Sequence, residues 1–115
     1  MKSNMIEAKI YKEIEKYKID DVGITASHLM AISKLKEEVL KTKLAKAYAK
    51  VDVLEKNIEL NYKARKMLDG VNDYAMDLLV KDSGSLEKAL FKEKLLVLIY
   101  QKALEVIEDE LKTSD

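Results

Sequence analysis

A chain of 115 residues is long enough to bury about two-thirds of its unfolded surface in one core and too short for a second. Its 21 basic and 21 acidic side chains cancel, which excludes the strongly basic balance of a general nucleic-acid coat. With no cysteine, proline or tryptophan and three glycines, the chain has no disulfide or thiolate zinc site and few helix breakers. The expectation is an all-α fold, a small antiparallel bundle of three to four helices with one long central helix, forming a single domain over residues 1–115.

The N-terminus is charged from Lys2 onward and contains no apolar stretch of signal-peptide length. The first predicted helix covers residues 3–18, where Ile6, Ile10, Ile14 and Tyr17 recur at helical spacing on one face. Turn formers follow at residues 19–25, and Thr25 or Ser27 is placed to accept a backbone N–H at the start of a second helix.

From Ala26 to Asp69 there is no glycine or proline, so the second helix is expected to run about 44 residues, on the order of 65 Å. The competing expectation is a bend at residues 50–52. Leu40, Leu44, Ala47, Val51, Leu54 and Ile58 repeat at intervals of four and three, the signature of a coiled-coil seam. Gly70 is suited to a left-handed position that ends the helix.

Asn72 is a predicted cap for a short third helix over residues 73–80. Residues 82–85, Asp-Ser-Gly-Ser, read as a loop, with Ser85 capping a fourth helix that reaches about residue 112. Its inner side holds Leu86, Leu90, Val97, Tyr100, Leu104, Ile107 and Leu111. Residues 95–100 are apolar all round, which predicts either a central position or a contact with another copy. At six residues that run is far short of the roughly 20 needed to span a bilayer; no membrane role and a cytoplasmic location are expected. Residues 113–115 read as a frayed end.

Charge is unevenly distributed. Residues 1–66 hold 15 basic and 10 acidic side chains, and residues 67–115 hold 6 and 11. Lys34, Lys36, Lys41, Lys43 and Lys50 flank the seam of the second helix, and they are expected to face Glu105, Glu108, Asp109 and Glu110 of the last one.

Catalytic and metal chemistry find little support. His28 is the one histidine, and no nucleophile or orienting carboxylate is patterned around it. Asp69, Asp73 and Asp77 are four apart, but Gly70 interrupts the helix and the calcium-loop pattern is absent. Phosphate loops and nucleophile elbows are also missing. No cofactor, metal or enzymatic activity is expected. The tyrosines and methionines, Met30, Met67 and Met76 among them, read as core or rim.

The function these features favour is a protein-interaction module: an adaptor, a modulator or a small subunit of a larger assembly, expected to self-associate. Leu95, Leu96, Leu98 and Ile99 are the candidate apolar anchors. The alternative is a nucleic-acid-associated subunit in which Lys36, Lys43, Lys46 and Lys50 contact phosphates, with Tyr48 and Tyr62 available for stacking. Arg65 is the sole arginine, which weighs against bidentate base or phosphate recognition.

Overall fold

A computed structural model describes residues 2–113. They form four α-helices: α1 (Lys2–Ile14), α2 (Ala26–Ser33), α3 (Glu37–Leu68) and α4 (Asp73–Thr113). The all-α expectation holds, with α3 packed along α4. The predicted fraying at the C-terminus concerns Ser114 and Asp115, which lie outside the described residues, and Thr113, the last residue of α4.

Ile10 and Ile14 of α1 are fully buried, as their spacing requires. The chain then tightens into two 3-10 turns, Glu15–Tyr17 and Asp20–Val22. Between Ile19 and Ile24 two backbone hydrogen bonds of 2.8 and 3.1 Å pinch the loop shut. Gly23 makes that closure possible by adopting φ +83, a left-handed value that a side chain would strain. The loop buries Ile24 and starts α2, whose first turn is capped by Thr25: its Oγ1 accepts the N–H of His28 at 3.2 Å.

The first helix ends at Ile14 rather than at residue 18, and two further helix boundaries differ from expectation. The predicted 44-residue helix is broken at residues 34–36, and α3 continues without a break through 50–52. The break needs no glycine or proline. Ser33 Oγ donates to the Met30 carbonyl at 2.6 Å, and the N–H groups of Lys34 and Leu35 donate to the carbonyls three residues back. Lys36 is then extended, at φ −74 and ψ 156. The turn lets Leu29 and Ile32 on one side and Leu40 on the other enter the same core.

The second difference is at residues 82–85, which are helical throughout, so that α4 is one helix of 41 residues rather than two. Ser85 is not a cap. Ser83 is buried at the α3 contact, and the seam spacing on both sides of it, Met76, Leu79, Ser83, Leu86 and Leu90, keeps one helical phase. Packing thus outweighs the poor helix propensity of Ser-Gly-Ser.

Helices α3 and α4 are joined by a type II turn. Asp69 is at φ −59, ψ 123, Gly70 is at φ +74, and the Val71 N–H donates to the Leu68 carbonyl at 2.9 Å. Gly70 is left-handed as expected, in the third position of that turn. Asn72 caps α4, its Oδ1 accepting the Ala75 N–H at 3.0 Å.

The two long helices run antiparallel in coiled-coil register. The seam predicted for residues 40–58 continues through Asn61, Arg65 and Leu68, and each of its members is buried or half-buried. Asn61 Nδ2 donates to the Leu79 carbonyl at 2.9 Å, Lys50 pairs with Glu93 at 3.7 Å, and Tyr48 hydrogen-bonds Gln101.

The core sits at one end. Its members come from α1, the 19–24 loop, α2, residues 40–47 of α3 and residues 96–104 of α4. Beyond this head, α3 and α4 extend as a two-helix arm over residues 51–86. The extents of 66 × 23 × 16 Å match a 41-residue helix of about 60 Å setting the long axis.

Candidate protein-interaction surface

The four proposed anchors are divided by the head. Helix α4 packs on α3, α1, α2 and the 20–22 turn, so it holds the central position that its apolar run allows. Ile99 is 0% and Leu96 7% exposed, and both belong to the core. Neither is open to a partner, which corrects their expected role as anchors. Leu95 is half-buried against the same core, and Leu98 remains 43% exposed. Neighbours on two sides of α4 cover Leu96 and Ile99 and leave Leu98 open to water.

Of the lysines predicted to face the acidic end of the last helix, Lys34, Lys36, Lys41, Lys43 and Lys50, two are paired elsewhere, Lys41 and Lys50. Lys36, Lys43, Lys46 and Lys50 are all exposed. Lys50 pairs with Glu93, Lys41 with Glu37 of its own helix at 3.2 Å, and Glu105 with Lys102 at 3.3 Å. Glu110 is bound by Lys9 of α1. The hairpin register explains the shift: with Asn61 level with Leu79, the last turns of α4 run past the start of α3 and lie beside α1. Val106, Asp109 and Glu110 share a depression there with Lys9, Lys12 and Glu13.

The arm carries apolar residues that the sequence reading assigned to the core or passed over. Val53, Leu60 and Met67 are seven apart and form a second column on α3, outside the seam; Leu60 is 61% and Met67 80% exposed. Val71 and Tyr74 stand exposed at the tip, with Leu78, Val80 and Phe91 on α4. Met30 is also exposed and Met76 half-buried, so of the three methionines read as core or rim Met67 departs furthest. The seven-residue spacing was the available signal for this column.

Two open grooves run along the arm, and the helical register puts them on opposite faces. One, about 430 Å³, is lined by Glu55, Ile58, Glu59, Tyr62, Arg65, Glu87 and Leu90. Lys66 and Arg65 lie over the Tyr62 ring at 4.8 and 5.9 Å, distances at which the ring's negative face attracts a cation. The other, about 460 Å³, is lined by Asn57, Leu60, Asn61, Ala64, Leu79, Asp82 and Leu86. Asn61 Oδ1 and Arg65 Nε are buried with no hydrogen-bond partner. An orphaned polar atom of this kind costs on the order of 1–3 kcal/mol.

His28 is half-buried, its backbone engaged in the α2 cap. Asp69 lies in the turn after α3, and Asp73 and Asp77 lie in the first turns of α4, so the three do not share one helix face. Among the described residues no group of three or more His, Asp or Glu side chains is placed to hold a metal ion. No helix of the described residues is long and apolar enough to cross a membrane. No family model, curated protein or solved structure matches the chain.

Proposed function

We propose that the chain is a non-enzymatic helical interaction module of the cytoplasm, whose head holds the fold together and whose arm contacts another protein. The observation that carries this reading is the separation of the two. The connected apolar core lies in the head; the arm buries Leu54 in its seam and exposes Val53, Leu60, Met67, Tyr74 and Leu78. Burying one such side chain fully contributes about 1.5–3 kcal/mol, and only the surplus over the entropy lost on association appears as affinity. Several anchors in one column meet that requirement. The bound protein is a larger assembly or another copy of this chain.

The test is a paired substitution, Leu60→Asp with Met67→Asp, at positions already open to water. The variant should keep wild-type helicity and melting temperature and lose capture of its protein partner. Unchanged capture with the arm charged in this way would sink the arm as the contact surface.

A second reading rests on the exposure of Lys36, Lys43, Lys46 and Lys50 along one stretch of α3. In it the lysines contact phosphates, Tyr48 and Tyr62 stack on bases, and affinity falls steeply with salt. Replacing the four lysines by glutamine should then abolish retention of nucleic acid and leave the arm's protein contacts unaltered.

A further inference from the structure

Leu78, Ser85, Lys92, Ile99 and Val106 recur at every seventh residue of α4, and in a coiled-coil register such residues keep one orientation. The head covers most of this line. Val106 borders a depression with Lys9 and Lys12 of α1, Ile99 is buried in the core, and Ser85 and Lys92 share a depression with Asp21, Val22 and Gly23. The head therefore stands on this side of α4 and stops at about residue 85. Leu78, beyond it, is 50% exposed. Asp82, one helical turn away, lines the 460 Å³ groove with Leu60 and Ala64 of α3, so the Val53, Leu60 and Met67 column belongs to the same side.

The two broad sides of the arm differ in charge. By heptad phase the side with Leu60 and Leu78 carries one charged residue between head and tip, Asp82. The opposite side is acidic, with Asp52, Glu55, Glu59, Asp77 and Glu87 against Arg65 and Lys66. Lys56, Lys63, Lys81 and Lys88 fall opposite the seam, along the outer edges of the hairpin. Like charges set face to face oppose association. The acidic side is therefore unsuited to pairing with itself, whereas the apolar side, poor in charge at its centre and polar at its rim, is suited to it.

We infer that the apolar side of the arm pairs with the same side of a second copy, antiparallel about a twofold axis. The inference rests on the reading of the arm as a protein contact surface and specifies its occupant. The head decides the geometry. Parallel arms would bring two heads together on the side from which each projects, and they would collide. Antiparallel arms send the heads to opposite ends, and each tip advances until it meets the other head near residue 85. The bare part of α4, from Asp73 to that stop, is centred on Leu78. Ala64 is the α3 residue at that level, since it shares a groove with Leu79, to which Asn61 is bonded.

In an isologous pair each contact is made twice. With the axis at Ala64 and Leu78, the small Ala64 lets two α3 helices approach closely, Leu78 meets its own copy, and Leu60 lies level with Met67 of the second copy. The two Asp82 carboxylates stand about 12 Å apart along the helix direction, beyond the screening length at physiological salt. Each lies level with Tyr74 of the second copy, whose hydroxyl is a donor. The overlap is about 20 Å long and two helices, about 20 Å, wide. It buries on the order of 1,000 Å² in all, the low end of specific interfaces, so the dimer is weak and reversible.

The experiment is sedimentation equilibrium of the full chain across about 5–500 μM. The mass should rise from 13.2 kDa to twice that value. Leu78→Glu should weaken the dimer about tenfold or more. Val80→Glu, on the other side of the same helix and similarly exposed, should leave it unchanged, and both variants should keep wild-type helicity. Because the chain has no cysteine, Leu78→Cys should be joined to its copy by a short bis-maleimide, while Val53→Cys, about 30 Å from its copy, should not. A monomer at every concentration, a dimer that withstands Leu78→Glu or that Val80→Glu breaks equally, or cross-linking of Val53→Cys would each overturn the inference. Capture of a different protein is read by the Leu60/Met67 test; a chain that is monomeric yet loses capture there ends this inference and leaves the broader reading standing.

Discussion

Leu98 and Ile99 are neighbours in α4 with opposite surroundings, the first partly open to water and the second fully buried. Truncating Ile99 to alanine removes buried methylenes and leaves a cavity, so it should lower unfolding free energy by about 2–4 kcal/mol. Leu98→Ala should lie within about 1 kcal/mol of wild type. Urea denaturation of the pair checks both, and equal losses would place Leu98 in the core as well. Tyr100 supplies a pH-dependent counterpart. Burial, and secondarily the carboxylate of Glu93, raise its hydroxyl above the ordinary value of 10.0. The folded state then keeps a proton that the unfolded state loses, so stability is intact below pH 10.0 and declines as pH climbs from there toward the folded-state value. Tyr100→Phe should flatten that decline, measured as the difference in urea midpoint between wild type and variant at about pH 9 and about pH 11. At this scale the sequence identifies which residues are apolar. It does not identify which of Leu95 to Tyr100 face inward, because a run without polar members has no phase until its neighbours are placed.

Glycines test the element boundaries. Gly84 lies inside α4 with open space where a Cβ would go, whereas Gly70 holds φ +74 in the turn. Gly84→Ala should stabilise the protein by about 0.5–1 kcal/mol through higher helix propensity. Gly70→Ala should destabilise it by about 1–2 kcal/mol through left-handed strain. Thermal unfolding of the two variants separates a continuous α4 from one interrupted at residues 82–85, where alanine would disturb a loop instead. The α3 seam, the Asn72 cap and the left-handed Gly70 were legible because each depends on local spacing or one residue's backbone. The break at residues 34–36 was not, since nothing there opposes helix and the turn is imposed by Leu29, Ile32 and Leu40 sharing one core. The continuity of α4 was hidden for the converse reason: a local signal for a loop is overruled by the burial of Ser83. For the candidate surface, the Val53, Leu60 and Met67 column was readable from its spacing, but its exposure depends on where the head stops.

Head and arm should differ in local stability. Five segments enclose the core of the head, while the arm is a single helix pair with the polar residues Asn61 and Ser83 in its seam. Few buried apolar contacts mean low free energies of local opening. Hydrogen exchange should therefore show amides of residues 55–66 and 74–84 exchanging faster than those of residues 94–104 in the same helix pair; uniform protection would mean that the two open as one unit. The radius of gyration, 18.6 Å, exceeds the roughly 13 Å of a compact chain of this length. Friction on such a rod is set by its length more than by its mass. The monomer should sediment slowly and leave a sizing column early, as a globule of considerably larger mass would, with no second chain attached.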